Sequence, residues 1–202
     1  MRLYQMQDSG NCYKIRLLAH LLELPLELID IDILKGESRT EDFLTKNPNG
    51  RVPVLELDDG KFLAESNAII TYLAENTPYW PEDRFTRAQV LQWMFFEQYS
   101  HEPYIAVARF WKSISPVFPP EMQVRQPEWD QRGNAALEVM ERHLTGRSYF
   151  VDGHPTVADI ALFAYTHVAH EGGFDLTRYP NISLWIERIK TLPGYIPMSA
   201  RP

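Results

Sequence analysis

The sequence predicts an α/β domain followed by an all-helical one. Strand-like and helix-like periods alternate along residues 1–77. A polar stretch at 76–85 carries Pro78 and Pro81 and reads as a connection. Beyond it strand patterning is lost and apolar residues recur at helical spacing. Strands first and helices after is the signature of an α/β unit joined to an all-α unit. The boundaries this implies are a first domain at 1–77, a linker at 78–85 and a helical domain at 86–202.

The elements follow in order. Met1 to Gln5 is short enough for a strand. Asn11 to Leu24 sets Ile15, Leu18, Ala19 and Leu22 on one helical face, and Pro25 ends it. Leu26 to Ile31 alternates as a second strand. Glu41 to Lys46 is a short helix stopped by Asn47-Pro48. Val54 to Leu57 and Lys61 to Ala64 flank Asp58-Asp59-Gly60, a hairpin signal. Ser66 to Glu75 closes the domain as a helix, giving the order β-α-β-α-β-β-α.

Past the linker, Arg87 to Phe110 reads as one long helix. Prolines 116, 119, 120 and 127 then impose a loop. Glu128 to Leu144 is helical again. Thr156-Val157-Ala158-Asp159 has capping-box spacing, with Asp where Glu is commoner, and the helix it opens sets Val157, Ile160, Ala161 and Ala164 on one face. Ile182, Trp185, Ile186 and Ile189 mark a last amphipathic helix.

Composition narrows the function classes. The 202 residues are 45% hydrophobic with a net charge of −7, and their Lys and Arg residues are scattered. Nothing offers the basic stripe a nucleic-acid partner needs. Cys12 is the one cysteine, so no disulfide forms within the chain and a cytoplasmic location is expected. Met1 runs straight into Arg2-Leu3-Tyr4 without a signal-peptide pattern, and no apolar run is long enough for a membrane span.

Three motifs in the first domain sit at element boundaries. Asp8-Ser9-Gly10-Asn11-Cys12 lies between the first strand and first helix, where unpaired N–H groups favour an anion such as a thiolate. Ser9 or Asn11 could equally be a plain helix cap. Asn49-Gly50-Arg51-Val52-Pro53-Val54-Leu55 sets a proline just before a strand. A cis Val52-Pro53 bond would turn the Val52 backbone outward toward an extended peptide-like ligand; an edge strand with a trans bond is the alternative. Glu65-Ser66-Asn67-Ala68-Ile69 enters the third helix, where Glu65 could hold an ammonium group and Ser66 with the helix N–H groups a carboxylate, or where Ser66 only caps.

In this order these motifs resemble the cytosolic glutathione transferase family over essentially the whole chain. Ser9 to Arg16, Asn47 to Leu55, Glu65 to Ile69 and Thr156 to Asp159 carry the resemblance. It points to bacterial, serine-type members similar to the theta, zeta and nu classes. It implies a thioredoxin-like N-terminal domain that binds glutathione, an all-helical C-terminal bundle, a homodimer and a cis proline.

The resemblance also assigns residues. Ser9 matches the catalytic serine and Asn11 a residue that assists it. Val52 would offer its backbone to the cysteinyl part of glutathione, next to Pro53. Glu65 and Ser66 would hold the γ-glutamyl head and Arg51 the glycyl carboxylate, with Ser38 or Arg39 assisting. Glutathione is the co-substrate, no metal is implied, and the activity is transfer of glutathione to a small apolar electrophile. Disulfide reduction or peroxide reduction with glutathione, and a non-catalytic interaction module, are the alternatives.

Four further expectations complete the reading. Tyr4 is a packed strand residue and not a catalytic tyrosine. Cys12 is a small buried side chain. Tyr104, Arg109, Phe110 and Trp111, near Tyr99 and His101, are candidates for the acceptor pocket, with core packing as the plainer role. His167 and His170 read as partly exposed histidines without the ligands a metal needs.

Overall fold

A computed structural model describes residues 1–151 and 153–201. The chain divides into two compact units. The first holds Met1–Asn76 together with the segment from Leu192 onward, and the second is Thr77–Thr191. The expected boundary therefore needs two changes. The stretch expected as a linker falls inside the second unit, where Trp80 is buried. Residues after Thr191, expected to finish the helical domain, pack with the first unit.

The first unit is a four-stranded sheet ordered β2-β1-β3-β4, with β1 Arg2–Gln5, β2 Glu27–Asp30, β3 Val54–Glu56 and β4 Phe62–Ala64. β1 runs parallel to β2 and antiparallel to β3, and β4 returns antiparallel to β3 across the Asp58-Asp59-Gly60 turn. Alternation sends successive side chains to opposite faces. Tyr4 pairs with Val54 and packs with Phe43 on one face, while Leu3 pairs with Leu55 and both are fully buried. Helices α1 (Gly10–Leu21) and α3 (Ser66–Ala74) pack on one another, and α2 is the short Glu41–Lys46.

Helix α1 departs from the expected one-faced pattern. Cys12 through Ala19 are all buried, Lys14 and Arg16 included. The returning chain after Leu192 covers Tyr13 and Arg16, while Lys14 reaches the head of α3. The Tyr13 hydroxyl donates to the Ile196 carbonyl at 2.6 Å, and Arg16 Nη2 donates to the carbonyls of Gln7 and Met198 at 2.8 and 2.9 Å. Gln7 Nε2 also donates to the Met198 carbonyl, and Arg201 pairs with Asp30 at 2.6 Å. These backbone acceptors let polar side chains lie under cover without losing their hydrogen bonds.

The second unit is helical: α4 Arg84–Phe96, α5 Glu102–Arg109, α6 Pro120–Gln123, α7 Gln126–Leu144, α8 Val157–Thr166 and α9 Pro180–Lys190. The single helix expected over 87–110 is interrupted by a π-helical turn at Glu97–His101, and a second π turn follows at Phe110–Ile114. Pro103 explains the first. It lacks an N–H and its ring crowds the preceding turn, so the chain widens there instead of continuing as regular α-helix. Every residue of α8 is buried, not one face alone, so α8 is the central helix of its unit. Thr156 and Asp159 form the expected capping box at its start. Among the described residues no helix is long and apolar enough to cross a membrane.

Candidate active site

Ser9 is the N-cap of α1, in extended backbone, and its Oγ accepts the Cys12 N–H at 3.3 Å. The plain capping role is thus real. It leaves the hydroxyl proton for another acceptor, because a serine oxygen can accept and donate together. Cys12 is fully buried and its Sγ accepts the Met6 N–H at 3.4 Å. Burial pushes its thiol up from the ordinary range, against the pull of the Ser9 hydroxyl, the Met6 N–H and the charges of Arg16 and Lys14. A buried thiol of that kind packs and does not attack.

Helix α3 begins differently. Its N-cap is Glu65, held at φ 69°, ψ 112° and making no side-chain cap bond. That is a costly conformation for a residue with a Cβ. Ser66 is the first helical residue, buried, and its hydroxyl turns away from capping. Its Oγ lies 3.1 Å from Asn11 Oδ1 and accepts from Lys14 Nζ at 3.2 Å. Lys14 Nζ also donates to Asn67 Oδ1 at 3.2 Å. The heads of α1 and α3 are therefore joined by four polar side chains. Sequence reasoning passes over Lys14 and Asn67, although Lys14 stands three residues after Asn11, on the same helical face.

The loop into β3 is tied down by its own backbone. Asn47 Nδ2 donates to the Arg51 carbonyl at 2.8 Å and Asn47 Oδ1 accepts the Asn49 N–H at 3.0 Å. Gly50 has φ 62°, and a Cβ there would meet the Ser38 carbonyl oxygen at 2.9 Å, so only glycine suits this close approach. The Val52-Pro53 bond is cis. Arg51 is exposed, Val52 half-buried, and Pro53 and Ser38 buried, while Arg39 Nη1 donates to the Asn49 carbonyl at 2.9 Å. Tyr4 is buried and donates to Glu56 at 2.8 Å, as a packed strand residue.

In the second unit the candidate acceptor residues have separate surroundings. Arg109 is buried and its Nε donates to Glu171 at 2.7 Å. Phe110 and Trp111 lie edge to face at 5.0 Å, both half-buried. Tyr104 is half-buried with the Arg132 guanidinium 6.0 Å from its ring centre. Tyr99 is 83% exposed, whereas His101 is wholly buried with Nε2 2.9 Å from Thr166 Oγ1. His170 is exposed. His167 stacks on Phe163, and burial lowers its pKa to about 4. Among the described residues no group of three or more His, Cys, Asp or Glu side chains could hold a metal ion.

Comparison with known proteins matches two segments of the chain to one family. Residues 3–82 match the glutathione S-transferase N-terminal domain and residues 123–188 the glutathione S-transferase C-terminal domain. The crystal structure of a glutathione S-transferase from Pseudomonas fluorescens is 53% identical with a TM-score of 0.95, covering 98% of each chain. That of a possible glutathione S-transferase from Rhodopseudomonas palustris is 49% identical with a TM-score of 0.96, over 100% of this chain and 90% of that one. Glutathione S-transferase-like protein LUC7 of Fusarium sp is 31% identical over 197 residues, which cover 93% of this chain and 87% of its own.

Proposed function

The chain belongs to the glutathione S-transferase family, and we propose that it binds glutathione in its first unit, holds the sulfur as thiolate and transfers it to an electrophilic small molecule. The observation that carries this is the Ser9 hydroxyl at the head of α1, whose oxygen accepts the Cys12 N–H and whose proton can be given to a sulfur anion.

The energetics are modest. A free thiol titrates near about 8.5. Lowering that by two units takes about 2.7 kcal/mol of preferential thiolate stabilisation. A charge-assisted hydrogen bond at a helix N-terminus is of that order. Ser9 acts as donor and not as base, since its alkoxide is far too costly at neutral pH. The thiol proton leaves to solvent, the sulfur lone pair forms a bond to the electrophilic carbon, and that carbon's leaving group departs with its electron pair.

Other residues hold the tripeptide. The Glu65 carboxylate takes the γ-glutamyl ammonium, and the N–H groups at the head of α3, that of Ser66 among them, take the α-carboxylate. Val52 pairs through its backbone with the cysteinyl residue, beside Pro53. Arg51, exposed on its loop, takes the glycyl carboxylate, with Ser38 and Arg39 bracing that loop from the other side. Asn11 gives the thiolate a second donor. In the second unit, Phe110 and Trp111 offer aromatic surface for an apolar acceptor, Tyr104 is a further candidate for it, and Arg109 braces that turn through Glu171. The exposed Phe95 and Tyr99 support a homodimer, and a lone buried cysteine suits a cytoplasmic setting.

The test is the ultraviolet absorbance of the thiolate of protein-bound glutathione across pH. A midpoint well below that of free glutathione, which rises in Ser9→Ala, is the expected result. Binding with an unshifted midpoint would leave a glutathione-binding module without activation.

A further inference from the structure

Only Met6, Gln7 and Asp8 separate β1 from the N-cap Ser9. The Ser9 N–H closes them into a turn by donating to the Met6 carbonyl at 3.1 Å, with Gln7 and Asp8 as the central pair. In so short a connection the place of the Ser9 hydroxyl follows from where Gln7 is held.

Gln7 is held through both its side chain and its backbone. Its Nε2 donates to the carbonyls of Met198 at 2.7 Å and Ala200 at 3.2 Å. Its own carbonyl accepts from Arg16 Nη2 at 2.8 Å, and the same nitrogen donates to the Met198 carbonyl at 2.9 Å. Gln7, Arg16 and Met198 thus close a ring of hydrogen bonds that includes a wholly buried guanidinium. A second path returns to the same segment. Arg16 Nη1 donates to Gln5 Oε1, Gln5 Nε2 to Asp30 Oδ1 at 2.6 Å, and Asp30 pairs with Arg201 at 2.6 Å. A segment that only covered apolar surface would need no such commitment. Here both Nε2 protons of Gln7 and both Nη2 protons of Arg16 are spent on fixing one turn and the chain across it. Bonds from a buried charge are the strong kind, and losing an acceptor leaves the donor unsatisfied.

We propose, resting on the thiolate-donor role of Ser9 given above, that Gln7 is a positioning residue for the Ser9 hydroxyl and that residues 198–201 are the clamp that holds it. The clamp works through backbone oxygens, so it depends on the path of the chain and not on the side chains of Met198 and Ala200. It touches no substrate atom; it narrows the positions from which Ser9 donates to the sulfur.

The test is a double-mutant cycle between Gln7→Leu and Ser9→Ala, read by the thiol pKa of bound glutathione. Gln7→Leu removes both donors to the clamp and keeps most of the side-chain volume. Alone it should raise the thiol pKa by about half a pH unit, roughly a threefold loss of thiolate below the midpoint. In the Ser9→Ala background it should raise it no further, because the donor it positions is gone. An equal rise in both backgrounds would mean that Gln7 acts otherwise than through Ser9, and would overturn the proposal. So would a depressed wild-type value that Gln7→Leu leaves unchanged, which would reduce residues 198–201 to packing. A wild-type complex whose thiol titrates like free glutathione removes the role of Ser9 and the clamp with it. If Gln7→Leu does not fold, a chain ending at Pro197 replaces it in the same cycle. That chain keeps the bonds from His20 to the Gly194 carbonyl and from Tyr13 to the Ile196 carbonyl, loses the acceptors of Gln7, and is judged by the same outcomes.

Discussion

Trp185 donates its indole N–H to Asp159 Oδ1 at 3.0 Å, joining α9 to the first turn of α8. The same carboxylate accepts the Phe150 N–H at 3.0 Å and the Thr156 N–H at 2.9 Å. Burial nevertheless raises its pKa from 3.8 to about 6, with those donors pulling the other way. Between these values the unfolded chain releases the proton while the folded chain keeps it. The contribution of this site to stability therefore falls as pH rises through that window, by about 3 kcal/mol in all. Subtracting the urea-unfolding free energy of Asp159→Asn from that of the wild type at each pH isolates it. The difference should decline to about pH 6 and then level; a flat difference would refute the assignment.

His167 should show the opposite slope. Burial lowers its pKa from 6.5 to about 4, although its ring N–H reaches the Phe163 carbonyl, Nδ1 to O, at 2.8 Å. As pH falls through this range the unfolded chain takes up a proton that the folded chain refuses, so stability drops toward acid by about 3 kcal/mol. Where the two windows overlap they offset each other. His167→Gln should therefore uncover a loss of stability with rising pH that the wild type conceals, readable in the same urea series.

The two roles of Ser9 can be separated. Ser9→Ala loses cap and donor together, with a stability cost of about 1 kcal/mol. Ser9→Asp keeps a cap oxygen but puts a negative charge beside the thiolate. It should unfold at nearly the wild-type temperature while its bound thiol titrates above that of Ser9→Ala. A thiol value in Ser9→Ala equal to that of the wild type would show that the hydroxyl is only a cap.

At Glu65 the backbone and the carboxylate make opposite demands. Its φ of 69° is one glycine adopts freely. Glu65→Gly should exceed Glu65→Ala in stability by about 1 kcal/mol, seen in thermal midpoints. Both should lose retention on immobilised glutathione, since both lack the carboxylate. A glycine variant that still binds would remove Glu65 from the ammonium site.

Much of this molecule can be read along the chain, because local rules govern it. The hairpin at Asp58-Asp59-Gly60, the capping box at Thr156 and Asp159 and the boundary position of Ser9 each depend on residues a few places apart. What escapes depends on long-range cover. Alternation and periodicity describe which face of α1 is apolar, but not that residues 192–201 supply carbonyls to the polar side chains of the other face. Likewise Ser66 looks like a helix cap until Asn11 and Lys14, more than fifty residues earlier, come within hydrogen-bonding distance. Pro103 is visible in the sequence, yet whether a helix stops, kinks or widens into a π turn there is decided by the helices packed around it.

The return of the chain to the first unit has a consequence for biosynthesis. Tyr13 and Arg16 need acceptors that lie more than 180 residues downstream. While the ribosome is still adding the helical unit, the Ile196 and Met198 carbonyls are missing, Arg16 keeps near neighbours such as the Gln7 carbonyl, and α1 lacks its covering. The sheet and its helices can assemble early, but the Tyr13 and Arg16 face of α1 reaches its final packing only after residues 192–201 have emerged. A nascent chain halted before Leu192 should accordingly be open to protease at α1, and one that extends through Arg201 should be resistant.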